Sequence, residues 1–517
     1  MLETKRKVND FASHRTKLVS IQPKLGCPGG QSDSPQGSSS IQGYPEGSDV
    51  LISSSSGSSA SPELCLNERI SSTPDCDDNY IHRDSTTLGA QNNQPLFATN
   101  SAAKHTIGPL LRLFAFYSRI PYSPPNQSMA FLNAPSVENY ILSHCDRTMK
   151  NLYFKPPNNN QIRQLILSRL NASSITRWIM FLSFRIHESY LNGDTLQNQT
   201  YSRWLEDAEY ALRSMLTYNL ESHEAQDRLG DWLGVLLLKV RIAHASGVYM
   251  ALKNATPTFL QLAFSIPSLW PADSDSTSIP LTSTIISPRH ELSNFALVDS
   301  VCAMAFGLPQ QVEYDTSLGA SPLTPNHHES LLSFPTEFQV TLTEINACRD
   351  ASSTARDWRE IEHRLMTWEA QSGKQDSGWE SWMVVAWLAV QESWRHTLLT
   401  YLYMAACGAS SDDPRVQSSV CQIFRVTGTV KKQESSEADV PFFIQYLIAG
   451  ICARSERHRK VVREELADAS ESKIWLMRGV DFVPVLDHLW HGAAANGQPI
   501  GWGDYMRSRE TMLPIAL

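Results

Sequence analysis

From Ile107 almost to the C-terminus, apolar residues recur at the three- and four-residue spacing of a helix, and no stretch alternates β-branched with polar residues between turn signals. This pattern restricts the chain to an all-α fold, because a period near 3.6 cannot place one apolar face on a strand of period 2. Between Tyr201 and Tyr218 the stripe is Trp204, Leu205, Ala208, Ala211, Leu212 and Met215, with Arg203, Glu206, Asp207 and Arg213 opposite. Asn192, Gly193 and Asn198 supply the break before it. The segment from Trp232 to Leu252 is apolar on most sides and reads as one central helix.

Residues 1–104 have the opposite character. They are dense in Ser, Gly, Pro, Asn and Asp around the tract Ser53-Ser54-Ser55-Ser56-Gly57-Ser58-Ser59. Few large apolar side chains are present to offset the roughly 1–2 kcal/mol per residue of backbone ordering entropy, so a disordered arm is predicted. Residues 105–517 are predicted to form a large multi-helix domain, with loop-rich breaks near 267–291, where Pro271, Pro280 and Pro288 fall, and near 319–335. A hydrophobic content of 42% and 13 tryptophans can fill its core. Helix is expected to resume at Leu292. Trp379 to Cys407 reads as one long helix stopped by Gly408 in the left-handed conformation. Ser411, Asp412 or Asp413 caps the next helix, with Pro414 at its first position, and that helix runs to about Val430. Asp439 with Pro441 repeats that start for Phe442 to Cys452, and Glu456 to Leu466 follows as a charged helix. The last element, from Ser472 to Ala495, is expected to be interrupted near Pro484 and to end at Gly497.

Several function classes are disfavoured by composition. With 44 basic and 53 acidic residues the net charge is −9, which argues against coating nucleic acid through the overall field. The longest apolar runs, Trp382 to Val390 and Tyr401 to Cys407, fall short of the roughly 18–20 residues of a bilayer span, and no membrane partner is expected. The start carries Lys5, Arg6 and Lys7 and no secretory apolar stretch, so the protein is expected to stay inside the cell; the three basic residues read as a solvated tail before they read as an import signal. Nine cysteines stand singly, none in C-x2-C spacing, and read as reduced core residues.

No G-x-S-x-G elbow, P-loop or dinucleotide fingerprint occurs, so no catalytic residue and no cofactor is assigned. His488 and His491, behind Asp487, would put two imidazoles on one helical face as metal ligands require, but no third ligand is near and the Glu of H-E-x-x-H is missing. Packed or capping histidines are the plainer reading. The row Trp379, Trp382, Trp387 and Trp394 is either core filling or the wall of an apolar ligand pocket. Trp379, Trp382, Trp394 and His488 are the candidate pocket residues, and a helical ligand-binding or metal-dependent enzyme there is the alternative reading. Arg454, Arg457, His458, Arg459, Lys460 and Arg463 form the densest basic run, yet Glu456, Glu464 and Glu465 interleave with it. A solvated face of i,i+4 pairs explains it better than a nucleic-acid contact.

Taken together, Phe295-Ala296-Leu297-Val298-Asp299, Ala305-Phe306-Gly307-Leu308-Pro309, Tyr314-Asp315, Trp358 to Trp368, Glu392-Ser393-Trp394-Arg395-His396, Tyr401-Leu402-Tyr403-Met404, Asp413-Pro414-Arg415-Val416-Gln417, Gly479-Val480-Asp481-Phe482 and Asp487-His488-Leu489-Trp490 resemble the fungal-specific transcription factor domain. The resemblance runs from near Ile107 to Leu517 and rests on helix-packing signatures. It implies an all-α regulatory domain in the nucleus that works with the transcription machinery, other regulators or a small-molecule effector, without chemistry of its own. Members of the family usually carry an upstream six-cysteine, two-zinc module. The early cysteines here, Cys27, Cys65 and Cys76, are too few and too widely spaced to make one, so DNA binding is not assigned to any residue of this chain. Either an upstream exon is missing from the gene model, or the protein regulates through partners alone.

Overall fold

The computed structural model describes residues 135–154, 159–191, 197–270, 278–317, 329, 333–370, 379–430, 440–468 and 477–517. The predicted arm, its boundary at residue 105, Asn192, Gly193, Asp439, Ser472 and most of both loop-rich breaks lie outside the described residues.

Sixteen α-helices make up about three quarters of the described residues. Helices α1 (Pro135–Asn151), α2 (Asn159–Ala172), α3 (Ser174–Leu191) and α4 (Asn198–Met215) come first, followed by the long pair α5 (Ser222–Ile242) and α6 (Ala245–Ser265). A short α7 (Leu281–Ile285) leads into α8 (His290–Phe306), then α9 (Thr336–Arg349), α10 (Trp358–Thr367) and α11 (Ser381–Tyr401). The C-terminal set is α12 (Pro414–Thr427), α13 (Phe443–Ile451), α14 (Glu456–Ala467), α15 (Gly479–His491) and α16 (Trp502–Met512). Among the described residues the only sheet is a parallel contact of two-residue strands, β1 (Ile279–Pro280) and β2 (Tyr314–Asp315), in register Ile279 with Tyr314. No described helix is long and apolar enough to cross a membrane.

Burial follows the stripe read from the sequence. In α4, Tyr201, Trp204, Leu205, Ala208 and Leu212 are buried while Arg203, Glu206, Asp207 and Arg213 face water. A small core joins α1, α2 and α3 through Val137, Ile141, Leu170 and Phe181, and a second joins α3, α4 and α5 through Leu182, Ile186, Leu205, Leu212 and Val235. Helix α5 turns Leu233, Leu236, Leu237 and Val240 instead to the large core that holds α6 and everything after it. It is therefore apolar on two faces and joins one core to the next.

The expected single helix from Trp232 to Leu252 is two helices. At Ala243 and His244 the backbone is extended, and the His244 imidazole caps α6 by accepting the Ser246 N–H. The sequence signal was weak because histidine is not among the favoured N-cap residues. The loop predicted near 267–291 contains a 3-10 turn (Pro267–Leu269), β1 and α7, and the helix resumes at His290, two residues early. Trp379 precedes α11, whose end widens into a π turn over Leu402–Ala406 before Gly408, at φ +66°. Asp413 caps α12 by accepting the Arg415 N–H, with Pro414 at the first helical position as expected. Pro484 does not interrupt α15. It lies near the helix start, where one missing N–H removes a single ladder bond. Beyond the turn Ala495–Gly497 a further helix, α16, forms that was not anticipated.

Helix α8 is the centre of the large core: every residue from Glu291 to Phe306 except Asn294 is buried. Its end is a Schellman turn, in which Leu308 N–H reaches Ala303 O and Gly307 N–H reaches Met304 O. Gly307 has φ +62°, and a Cβ there would lie 1.9 Å from Met506 Sδ of α16. Gly307→Ala should lower unfolding stability by about 1–3 kcal/mol through left-handed backbone strain, plus the steric contact with Met506. Urea unfolding of G307A, M506A and the double variant separates the two contributions, since only the steric part couples to Met506. A wild-type midpoint for G307A would show that the turn is not constrained.

Candidate functional site

A helix buried on nearly every side must satisfy its polar groups from its neighbours, and α8 does so at its C-terminal half. The Asp299 carboxylate accepts the backbone N–H of Gln311 at 2.7 Å and of Val312 at 3.3 Å, and the Tyr314 hydroxyl at 3.1 Å. It thereby ties the chain after α8 back onto the helix. Ser300 Oγ donates to Ala296 O and lies 2.8 Å from Thr343 Oγ1 of α9, while Asn346 Nδ2 donates to Ser300 O. The Arg349 guanidinium, nearly buried, donates to Ala303 O and Leu308 O, both at 2.7 Å, and to Tyr401 Oη at 2.8 Å. Tyr401 in turn donates to Asn346 Oδ1, and Tyr505 of α16 donates to Ala305 O. The carbonyls that the end of α8 leaves open are thus closed by side chains of α9 and α16, with Tyr401 of α11 holding the Arg349 and Asn346 side chains in place.

The tryptophan row divides in two. Trp379 stacks on Phe154 at 5.3 Å, Trp387 meets the same ring edge-on at 5.1 Å, and Trp382 meets Tyr153 edge-on at 5.6 Å. The chain just past α1 therefore fills the space beside Trp379 and Trp382 with its own aromatic rings. Trp394 is fully buried farther along α11, stacked on Phe334 at 4.0 Å, with its N–H given to Ser333 O. His488 stands exposed on α15, its Nδ1 3.1 Å from Ser508 Oγ. Trp379 and Trp382 are brought together; Trp394 and His488 belong to other surroundings. His491 donates from Nδ1 to Asp487 O, one turn back in its own helix. Among the described residues no three His, Cys, Asp or Glu side chains are grouped to hold a metal ion.

The basic run on α14 needs correction. Lys460 and Glu464 make the exposed i,i+4 contact that was expected, at 3.9 Å. Arg459, however, is buried and donates to Ala453 O at 3.1 Å and Ala494 O at 2.7 Å while pairing with Glu456. Both carbonyls lie just past helix ends, where intrahelical donors run out. Arg463 pairs with Asp487 of α15, and both guanidinia lie over the Trp490 ring, at 5.8 Å for Arg459 and 5.3 Å for Arg463. His458 stacks on Phe424 at 4.2 Å. Much of the cluster docks α14 onto its neighbours.

Three of the residues that hold α8 and its surroundings, Asp299, Tyr314 and Tyr401, fall within the stretches that carried the family resemblance. The model of the fungal specific transcription factor domain matches residues 245–515. The chain belongs to this family. No curated protein and no solved structure matches the chain. The matched segment opens at the first residue of α6 and ends just beyond α16, so in this member of the family α1–α5 lie outside it. Domains of this family are transcription factor regulatory domains, generally without enzymatic activity.

One charged cluster escaped the sequence reading. Glu291, at the start of α8, pairs with Arg169 of α2 at 2.5 Å, and Arg169 lies 3.7 Å from Asp231 of α5. Asp231 also pairs with Arg228 at 3.1 Å and accepts the Thr176 hydroxyl of α3. Burial pushes the Asp231 carboxyl up to about 6 despite Arg228. Burial alone would raise Glu291 too, but His290 and Arg169 pull it below its ordinary range. The available signal was Gly230 and Gly234, one turn apart on α5: a Cβ on either would come within 4 Å of the Glu291 side chain.

The Glu392-Ser393-Trp394-Arg395-His396 stretch contains a second polar unit. Two hydrogen bonds from Arg395 and a contact from His396 Nε2 at 3.0 Å hold the Glu392 carboxyl down at about 2. A depressed carboxylate contributes stability above its ordinary value, 4.5, and loses it as pH falls toward 2. Glu392→Gln should therefore be less stable than wild type at neutral pH, with the gap closing between about 4.5 and 2. Urea midpoints measured across that window test this; a constant gap would assign the effect to packing.

Proposed function

We propose that the protein is a nuclear transcriptional regulator whose helical domain acts by binding partner proteins or a small-molecule effector, with no bond-making chemistry and no DNA reader in this chain. The family match over residues 245–515 carries the reading. The side chains add support. The polar groups around α8 are engaged in holding helices, and burial raises the Cys302 and Cys452 thiols, Cys452 to about 12, which leaves them protonated and poor nucleophiles. Of the four pocket candidates, Trp379 and Trp382, half-buried beside Tyr153 and Phe154, remain the place where an apolar effector would meet the domain.

Fused to an unrelated DNA-binding module, the full chain should change transcription of a reporter carrying that module's site, whereas the unfused chain should not retain genomic DNA fragments. Stable DNA binding by the purified chain would overturn the absence of a reader. A silent reporter would overturn the regulatory reading. Stoichiometric metal, lost when His488 and His491 are replaced by Ala, would favour a metal-dependent enzyme instead.

A further inference from the structure

Where α1, α3 and the end of α5 meet, outside the family-matched segment, two histidines and three arginines surround a single glutamate. His144 and His187 have ring centroids 5.5 Å apart. Arg147 Nη2 lies 2.9 Å from His144 Nδ1, and Arg241 Nη2 lies 3.1 Å from His187 Nδ1. A guanidinium only donates, so each Nδ1 is the acceptor and each imidazole carries its proton on Nε2. Burial pushes both histidines down, His144 to about 4 and His187 to about 3, with Arg147 beside the first and Arg241 beside the second adding to the effect; both rings are neutral near pH 7. His144 is 2% exposed, and its Nε2 has no hydrogen-bond partner among the described residues. A buried N–H donor left unpaired costs about 1–3 kcal/mol.

The charges around these rings do not cancel. Among the described residues Glu188 is the one carboxylate beside them, and it is taken up by Arg185 at 2.6 Å, Arg147 at 3.2 Å and the Tyr140 hydroxyl at 2.6 Å. Asp146, next along α1, is paired with Arg163. Arg241 touches only His187 and the face of Tyr190, at 5.9 Å, and no described carboxylate pairs with it. Arg147, Arg185 and Arg241 against Glu188 leave 3 − 1 = +2 in a half-buried place, which repels a metal cation and favours an anion.

We propose that this cluster is a binding site for a small oxyanion, the carboxylate or phosphate group of an effector, held by the Nε2–H donors of His144 and His187 with Arg147 and Arg241 supplying the countercharge. The inference gives the effector of the regulatory reading a chemical class, and it rests on that reading only for its biological use. It gives an anionic group its own site in α1, α3 and α5, separate from the apolar surface at Trp379 and Trp382.

Titration of the full chain with sodium malonate and, separately, with inorganic phosphate, at ionic strength matched by chloride, tests it. A saturable rise in melting temperature beyond the chloride control is expected for at least one anion, and the responding arm tells carboxylate from phosphate. Arg241→Gln should weaken that response by about tenfold or more, the loss of the positive charge behind His187, while its melting temperature in chloride is unchanged or higher. His187→Leu should lose the response as well, so a folding defect in one variant leaves the other to decide. Arg463→Gln, on α14, should keep it. No response beyond chloride to either anion, or wild-type affinity in both R241Q and H187L, overturns the site. Direct binding with a silent reporter would leave the site standing and remove the regulatory reading, and an active reporter without anion binding would do the reverse.

Discussion

Enclosing α8 is the constraint from which the rest of the large core follows. A helix buried from Glu291 to Phe306 gains apolar contact on nearly all sides, but each polar group it takes inside must find a partner or cost about 1–3 kcal/mol. Asp299, Ser300 and the carbonyls of Ala303 and Ala305 find theirs on β2, α9 and α16. These bonds fix how the surrounding helices sit, because an apolar contact can slide by a fraction of a turn and a bidentate guanidinium cannot. Arg349 is the clearest case: one side chain closes two carbonyls and meets the hydroxyl of a third helix.

The helices before residue 245 attach to this core through α5 and through charge. Leu233 and Leu237 of α5 enter the large core while Val235 enters the smaller one, so the two cores share a helix. Arg169 reaches across to Glu291 at the start of α8, and the backbone of α5 passes close to that carboxylate at Gly230 and Gly234. Removing either partner of a buried pair of this kind leaves a lone charge and is strongly destabilising, so the pair fixes where the outer helices meet the family domain. The histidine and arginine cluster at the far end of α5 differs in its charge balance: among the described residues no carboxylate pairs with Arg241.

Much of the helical layout was legible because it is local. The stripe of α4 is visible in Trp204, Leu205, Ala208 and Leu212, and the start of α12 in Asp413 and Pro414, since capping and amphipathic spacing act within one turn or two. Errors arose where a distant partner decided the outcome. His244 caps α6 although histidine rarely does, Pro484 is carried inside α15, and α16 has too little apolar spacing of its own to stand out. Arg459 looked like a solvated charge because nothing in its own helix reveals that Ala494, thirty-five residues on, offers it a carbonyl.

By itself, the amino-acid sequence determined that this is a helical protein with an aromatic core, and its motifs placed it in its family. Those properties come from spacing along one chain segment. Only the tertiary structure decided which tryptophans meet, that Tyr153 and Phe154 pack beside Trp379 and Trp382, and which arginines go unmatched by a carboxylate. The physical reason is that partnership between residues far apart in sequence depends on how the helices cross, and burial and charge balance exist only once they have done so.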